Sequence, residues 1–260
     1  MVRGVFPRRP HTRAVTPGHE GDRFPGFDVL GEVGTWDAAT AGVVLARLGP
    51  PPPLRFFSPR EEAIADGLLD HLLDQRDEPK VPALRLIDQR LSERMTDGWR
   101  YEDMPHDDEA WRLSLQALDD EAMDLFDAAF PRLSWDDQAD IIQTVQDLQS
   151  EPWHGMPAAR VWSLWTRYAA WAFYSHPWSW NEIGFGGPAY PRGYKNVGLD
   201  SRENWEVRDQ YPERDPIQEI KGVEELRKRR AAETRRRRRT RSADGPGGSE
   251  GSDSAEGEQS

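Results

Sequence analysis

From residue 58 to residue 148 the apolar positions recur every three or four residues, which is the spacing of helices with one buried face. Ser58, Pro59 and Glu61 form a helix start, with a hydroxyl cap, a proline at the first helical position and an acid to complete a capping box. Ile64, Leu68, Leu69, Leu72 and Leu73 then predict a helix over 59–75. Pro82 opens a second, with Leu84, Ile87, Leu91 and Met95 as its stripe and Asp97-Gly98 as its stop. A third runs over about 108–129 on Trp111, Leu115, Leu118, Ala122, Leu125 and Phe126, and Pro131 ends it. Ser134 and Asp137 start a fourth, carrying Ile141, Ile142, Val145 and Leu148.

The fifth, 161–175, breaks the pattern. Trp162, Trp165, Tyr168, Ala169, Trp171, Ala172 and Phe173 leave only Ser163, Thr166 and Arg167 as polar interruptions. A helix that is apolar all round belongs in the middle of a bundle or in a membrane. At roughly 24 Å it is too short for a hydrocarbon core of ~30 Å, and Arg167 lies inside it, so a buried central helix is predicted. Beyond it, Pro177, Pro188 and Pro191 and a scatter of glycines predict a long loop in place of a helix. The expected fold class is therefore all-α: a single bundle of about five helices, a long aromatic, Gly- and Pro-rich C-terminal loop, and disordered ends.

The loop carries a recognisable pattern. His176-Pro177, then Glu182-Ile183-Gly184-Phe185-Gly186-Gly187-Pro188, then Gly193-Tyr194, resembles the C-terminal signature of the gluconate 2-dehydrogenase subunit 3 family. Phe56-Phe57-Ser58-Pro59-Arg60-Glu61-Glu62 is similar to that family's opening helix, and Val81-Pro82-Ala83 leading to Ile87-Asp88-Gln89-Arg90-Leu91 to its second. The likeness covers roughly 54–206. It implies a non-catalytic small subunit that stabilises or assembles an FAD-dependent flavoprotein of the GMC (glucose–methanol–choline) type, acting on a sugar or sugar acid. It also implies a separate electron acceptor such as a cytochrome c subunit, FAD in the partner and no cofactor in this chain.

Composition sets the boundaries. In a chain of 260 residues, 1–53 reads as linker-like up to Pro50-Pro51-Pro52-Pro53, with one short helix over 36–48. The helical domain takes 54–206, a charged and partly helical extension 207–241, and an acidic Gly/Ser tail 242–260. The chain has no cysteine, which excludes disulfides and thiolate metal sites. The net charge of −12 is segregated: 1–220 carries 23 Lys+Arg against 38 Asp+Glu, whereas 221–241 carries 11 against 3. An acidic body does not suit nucleic acid. The alternative function is a stand-alone binding module whose run Arg235–Arg239, with Arg227, Lys228, Arg229 and Arg230, contacts nucleic acid or an anionic membrane. A solvated tail partly neutralised by its acidic end is the favoured reading of that run. Exported relatives carry a twin-arginine signal. Here Arg8-Arg9 is followed by polar residues with no apolar segment, so the expectation is a cytoplasmic or membrane-associated protein, with peripheral association allowed.

Candidate chemistry is sparse. His71, His106, His154 and His176 show no HxxxH or HExxH spacing, and structural roles are expected for them, His176 beside the loop being the exception to watch. Gly184-Phe185-Gly186-Gly187 follows an aromatic helix where a nucleotide loop would follow a strand, and is rejected as one. The loop residues Trp178, Trp180, Asn181, Glu182, Phe185, Gly186, Gly187, Pro188, Tyr190 and Tyr194 either pack on their own bundle or bind a partner, since aromatic segments poor in lysine are also what interfaces select; the family resemblance implies that they help dock the flavoprotein. No catalytic, cofactor-binding or metal-ligating residue is expected.

Overall fold

The computed structural model describes residues 24, 26–196, 198–199 and 201–208, and the isolated positions 225, 228, 229 and 232. The expectations for the N-terminal arginine pair, for most of the 207–241 extension and for the 242–260 tail lie outside the described residues. The described chain is all-α, with one two-residue hairpin: α1 (Ala38–Ala46), α2 (Pro59–Leu73), α3 (Ala83–Ser92), α4 (Asp107–Phe126), α5 (Trp135–Asp147), β1 (Pro152–Trp153), β2 (Met156–Pro157), α6 (Ala158–Tyr174) and α7 (Pro177–Ile183). Short 3-10 turns precede α1 at Val29–Thr35 and α5 at Phe130–Arg132.

Local chemistry explains the helix starts. The Ser58 hydroxyl accepts from the Glu61 amide at 3.3 Å and the Glu61 carboxylate accepts from the Ser58 amide at 2.8 Å, a complete capping box with Pro59 at the first position. The Ser134 hydroxyl caps α5 by accepting from the Asp137 amide at 3.2 Å. Asp107, Asp108 and Glu109 place negative charge at the positive end of the α4 dipole. Two endpoints differ from the sequence reading. α3 stops at Ser92, so Met95, expected on its buried stripe, is exposed. The stretch 177–183, expected as loop, is the helix α7. Pro177 takes the first helical position, where an amide hydrogen has no intrahelical acceptor, so it favours a helix start there.

α6 packs against α2, α3, α4 and α5, the central position its composition predicts. Trp165 is fully buried and its indole N–H donates to Ser114 Oγ at 2.9 Å; Tyr168 is 1% exposed and its hydroxyl donates to Asp107 Oδ2 at 2.7 Å. Around them Phe57 meets Trp111, Trp111 meets Tyr168 and Trp153 meets Trp165 edge to face, with centroids 5.6–5.9 Å apart. The final turn of α6 leaves this core: Trp171 and Tyr174 are exposed, so the helix is not buried on every side. The buried Asp88 on α3 accepts from the amides of Arg55, Phe56 and Phe57 at 2.7–2.9 Å and locks the segment entering α2 onto the bundle. A second, smaller apolar cluster of Val29, Trp36, Val44 and Trp180 sits at the far end of α6. It is built partly from residues before 53, which are folded against α7 from the Val29–Thr35 turn through α1.

Candidate docking site

The elbow between α6 and α7 is set by His176, which is 2% exposed. Its Nδ1 accepts from the Trp178 amide at 3.3 Å and caps α7, which leaves the hydrogen on Nε2, 2.9 Å from the Arg47 carbonyl that accepts it. Burial holds its pKa down at about 4, so the ring is neutral at physiological pH. Arg47 completes the exchange by donating to the Ser175 carbonyl at 2.5 Å. This answers the sequence question about His176: it is a structural joint between the N-terminal segment and the elbow. Two other histidines hold local contacts. His71 lies against the Trp135 ring and bonds to Gln138, and His154 lies 3.5 Å from the Glu121 carboxylate. Among the described residues, no three of His, Cys, Asp and Glu come together as a metal site.

Beyond the elbow, Trp180 is 5% exposed; its indole donates to the Tyr174 carbonyl at 2.7 Å and its ring meets Phe185 at 5.4 Å. Asn181 Oδ1 accepts from the Val29 amide at 2.8 Å. Gly184 ends α7 in the left-handed region. Gly187, at φ +79°, lies so close to Trp36 that a Cβ there would stand 2.3 Å from the indole ring, and a Cβ on Gly186 would stand 2.6 Å from Trp205. The space over the glycine run is thus filled by indoles and offers no cradle for a phosphate.

Arg192, marked by no motif, is the hub of this end of the molecule. Its side chain is 9% exposed; Nη1 donates to Thr35 Oγ1 at 3.0 Å and Glu32 Oε2 at 3.3 Å, while Nη2 donates to the Gly186 carbonyl at 2.5 Å and the Gly187 carbonyl at 3.3 Å. Its guanidinium lies 3.8 Å over the Trp205 ring. Glu203, also buried, accepts from the amides of Lys195 and Asn196 and closes the last turn of the loop.

The residues expected to bind a partner therefore separate by position. Tyr190 and Tyr194 are 68% and 57% exposed, Tyr194 resting on Trp205, and Phe185 is 40% exposed. Asn181, Glu182 and Pro188 are half-buried beside them. Trp180, Gly186 and Gly187 are inside, shaping the loop. Trp178 faces elsewhere, into a groove of about 420 Å³ that it shares with Arg47, Asp70, Lys80 and Arg85. Two ion pairs line it, Lys80 with Asp70 at 2.6 Å and Arg85 with Glu62 at 3.0 Å.

The described chain is thus a helical bundle that presents an aromatic loop from a well-braced end. Residues 59–187 match the family described as gluconate 2-dehydrogenase subunit 3, and over them the chain belongs to that family. The match begins at the proline that starts α2 and ends at the glycine packed on Trp36. No curated protein and no solved structure matches the chain. Among the described residues no helix is long and apolar enough to cross a membrane.

Proposed function

We propose that the chain is the small subunit that binds and stabilises an FAD-dependent dehydrogenase flavoprotein of the GMC type, one that oxidises a sugar or a sugar acid such as gluconate. The observation that carries this reading is the family match over 59–187. What supports the place of docking is the exposure of Phe185, Tyr190 and Tyr194 on a loop whose backbone is held from three sides. Rigid aromatic side chains give large contact area at low entropic cost, the composition that binding hot spots favour. In this reading the FAD and the chemistry reside in the partner, a separate acceptor such as a cytochrome c takes the electrons, and this chain contributes surface.

The test is a pull-down from native cells with the tagged chain. The expected eluate shows flavin absorbance and oxidises a sugar acid or related alcohol with an artificial acceptor. Replacing both Tyr190 and Tyr194 with alanine is expected to weaken retention about tenfold or more, because exposed aromatic anchors are worth ~1–2 kcal/mol each, with the thermal melt unchanged. A colourless eluate containing this chain alone would overturn the proposal.

A further inference from the structure

Tyr190 and Tyr194 stand two positions either side of Arg192, and the Arg192 side chain touches all three segments meeting at this end of the molecule. It reaches the N-terminal turn through Glu32 and Thr35, the glycine run through two carbonyls, and the C-terminal turn through the face of Trp205. Two further bonds tie the same pieces together, Val29 to Asn181 and Arg47 to Ser175. A planar guanidinium can serve two carbonyls, a hydroxyl, a carboxylate and a ring face at once; an ammonium cannot.

We propose that Arg192 is a positioning residue for docking: it clasps residues 29–47 to the aromatic loop and thereby fixes Tyr190 and Tyr194 in the arrangement a partner meets. The inference rests on the docking reading above and extends it. Residues 29–47 lie outside the family-matched segment, yet they form the wall against which the loop is cast. The N-terminal segment is thus part of the binding site without presenting the contact residues. Preorganisation of this kind raises affinity by removing the cost of ordering the contact side chains at the moment of binding.

The experiment uses the full chain, with Arg192→Met to keep the stem and remove the fork, and Arg192→Lys to keep the charge. The probe is the flavoprotein purified on the wild-type tagged chain. In Arg192→Met, tryptic cleavage at Lys195 and Arg202 is expected to accelerate at least about tenfold, with helix content and the main melting transition retained. Affinity for the flavoprotein is expected to fall about ten- to a hundredfold, the scale set by freeing two anchoring side chains and their loop. Arg192→Lys, which keeps the positive charge facing Glu32, is expected to recover part of both. Protection of Lys195 and Arg202 unchanged in Arg192→Met would overturn the clasp. Loop opening with unchanged affinity would overturn the positioning role and leave the accessory reading intact. If the wild-type chain captures no flavoprotein, the accessory reading fails on that observation alone, and the cleavage pattern still decides the clasp.

Discussion

The His176 ring joins two segments and carries no charge while doing so. Its Nδ1 serves as acceptor for the first turn of α7 and its Nε2–H donates to the Arg47 carbonyl, while burial, and after it the charge of the Arg47 guanidinium, keeps the ring neutral. Protonation would turn the capping acceptor into a donor aimed at an amide hydrogen. In the unfolded chain the group titrates near 6.5 and in the folded one near 4, so between those values the unfolded state binds more protons. Stability from this group is therefore complete above about pH 6.5 and drains as pH falls toward 4, by at most ~3 kcal/mol. The expected measurement is a melting temperature that declines over that window in the wild type and declines less in His176→Asn, which keeps a capping oxygen and cannot titrate. Parallel curves for the two proteins would show that His176 is not responsible.

At the scale of elements, the bundle depends on a few buried joints as well as on its apolar stripes. Asp88→Leu would strand three amide hydrogens at the mouth of α2, at a cost of at least ~3 kcal/mol, comparable with the ~3–5 kcal/mol expected for emptying the centre with Trp165→Ala. Urea titrations of the two variants check this; a shift below ~1 kcal/mol in Asp88→Leu would mean the entering segment relaxes to find other acceptors. The joints differ in how far the sequence discloses them. Ser58, Pro59 and Glu61 are neighbours whose interactions are local, so the start of α2 is legible from four letters. Pro177 has the opposite lesson: its chemistry is the same as that of Pro59, yet the prolines and glycines after it read as loop, because no carboxylate box accompanies it and its cap is a histidine ring. Asp88 caps nothing in its own helix; its partners are more than thirty positions away. The candidate site shows the same division. Aromatic content in 178–194 is visible in the sequence, but which rings face solvent depends on Trp36 and Trp205 filling the glycine run, and the Val29–Asn181 bond spans 152 positions. Arg192 gave no signal except as a lone cation in an aromatic stretch with no acid close by in the chain.

Across the whole molecule the two apolar clusters differ greatly in size. The main one gathers Trp111, Trp165, Tyr168 and Phe130 with the stripes of α2 through α6, while the second holds four buried residues, Val29, Trp36, Val44 and Trp180. Apolar burial scales roughly with area, so the smaller body has less to lose on opening, and its hydrogen bonds lie nearer the surface. α6 belongs to the first cluster and α7 to the second, with the elbow at His176 between them. Opening at that elbow would expose Trp180 and release the aromatic loop while α2 to α6 remain folded. Native-state hydrogen exchange on the intact chain should therefore show two sets of amides. Those of α2, α4 and α6 should exchange only through global unfolding. Those of α1, α7 and the loop up to Asn196 should exchange together at a lower free energy, since each depends on the others for cover. Addition of the flavoprotein should raise the protection of the second set by the binding free energy, because opening that body destroys the docking face, and that of the first set by as much, because global unfolding destroys it too. Equal protection of α6 and α7 in the free chain would mean that the elbow is rigid and the molecule opens as one unit, and the dependence of the docking face on its N-terminal wall would then have no dynamic consequence.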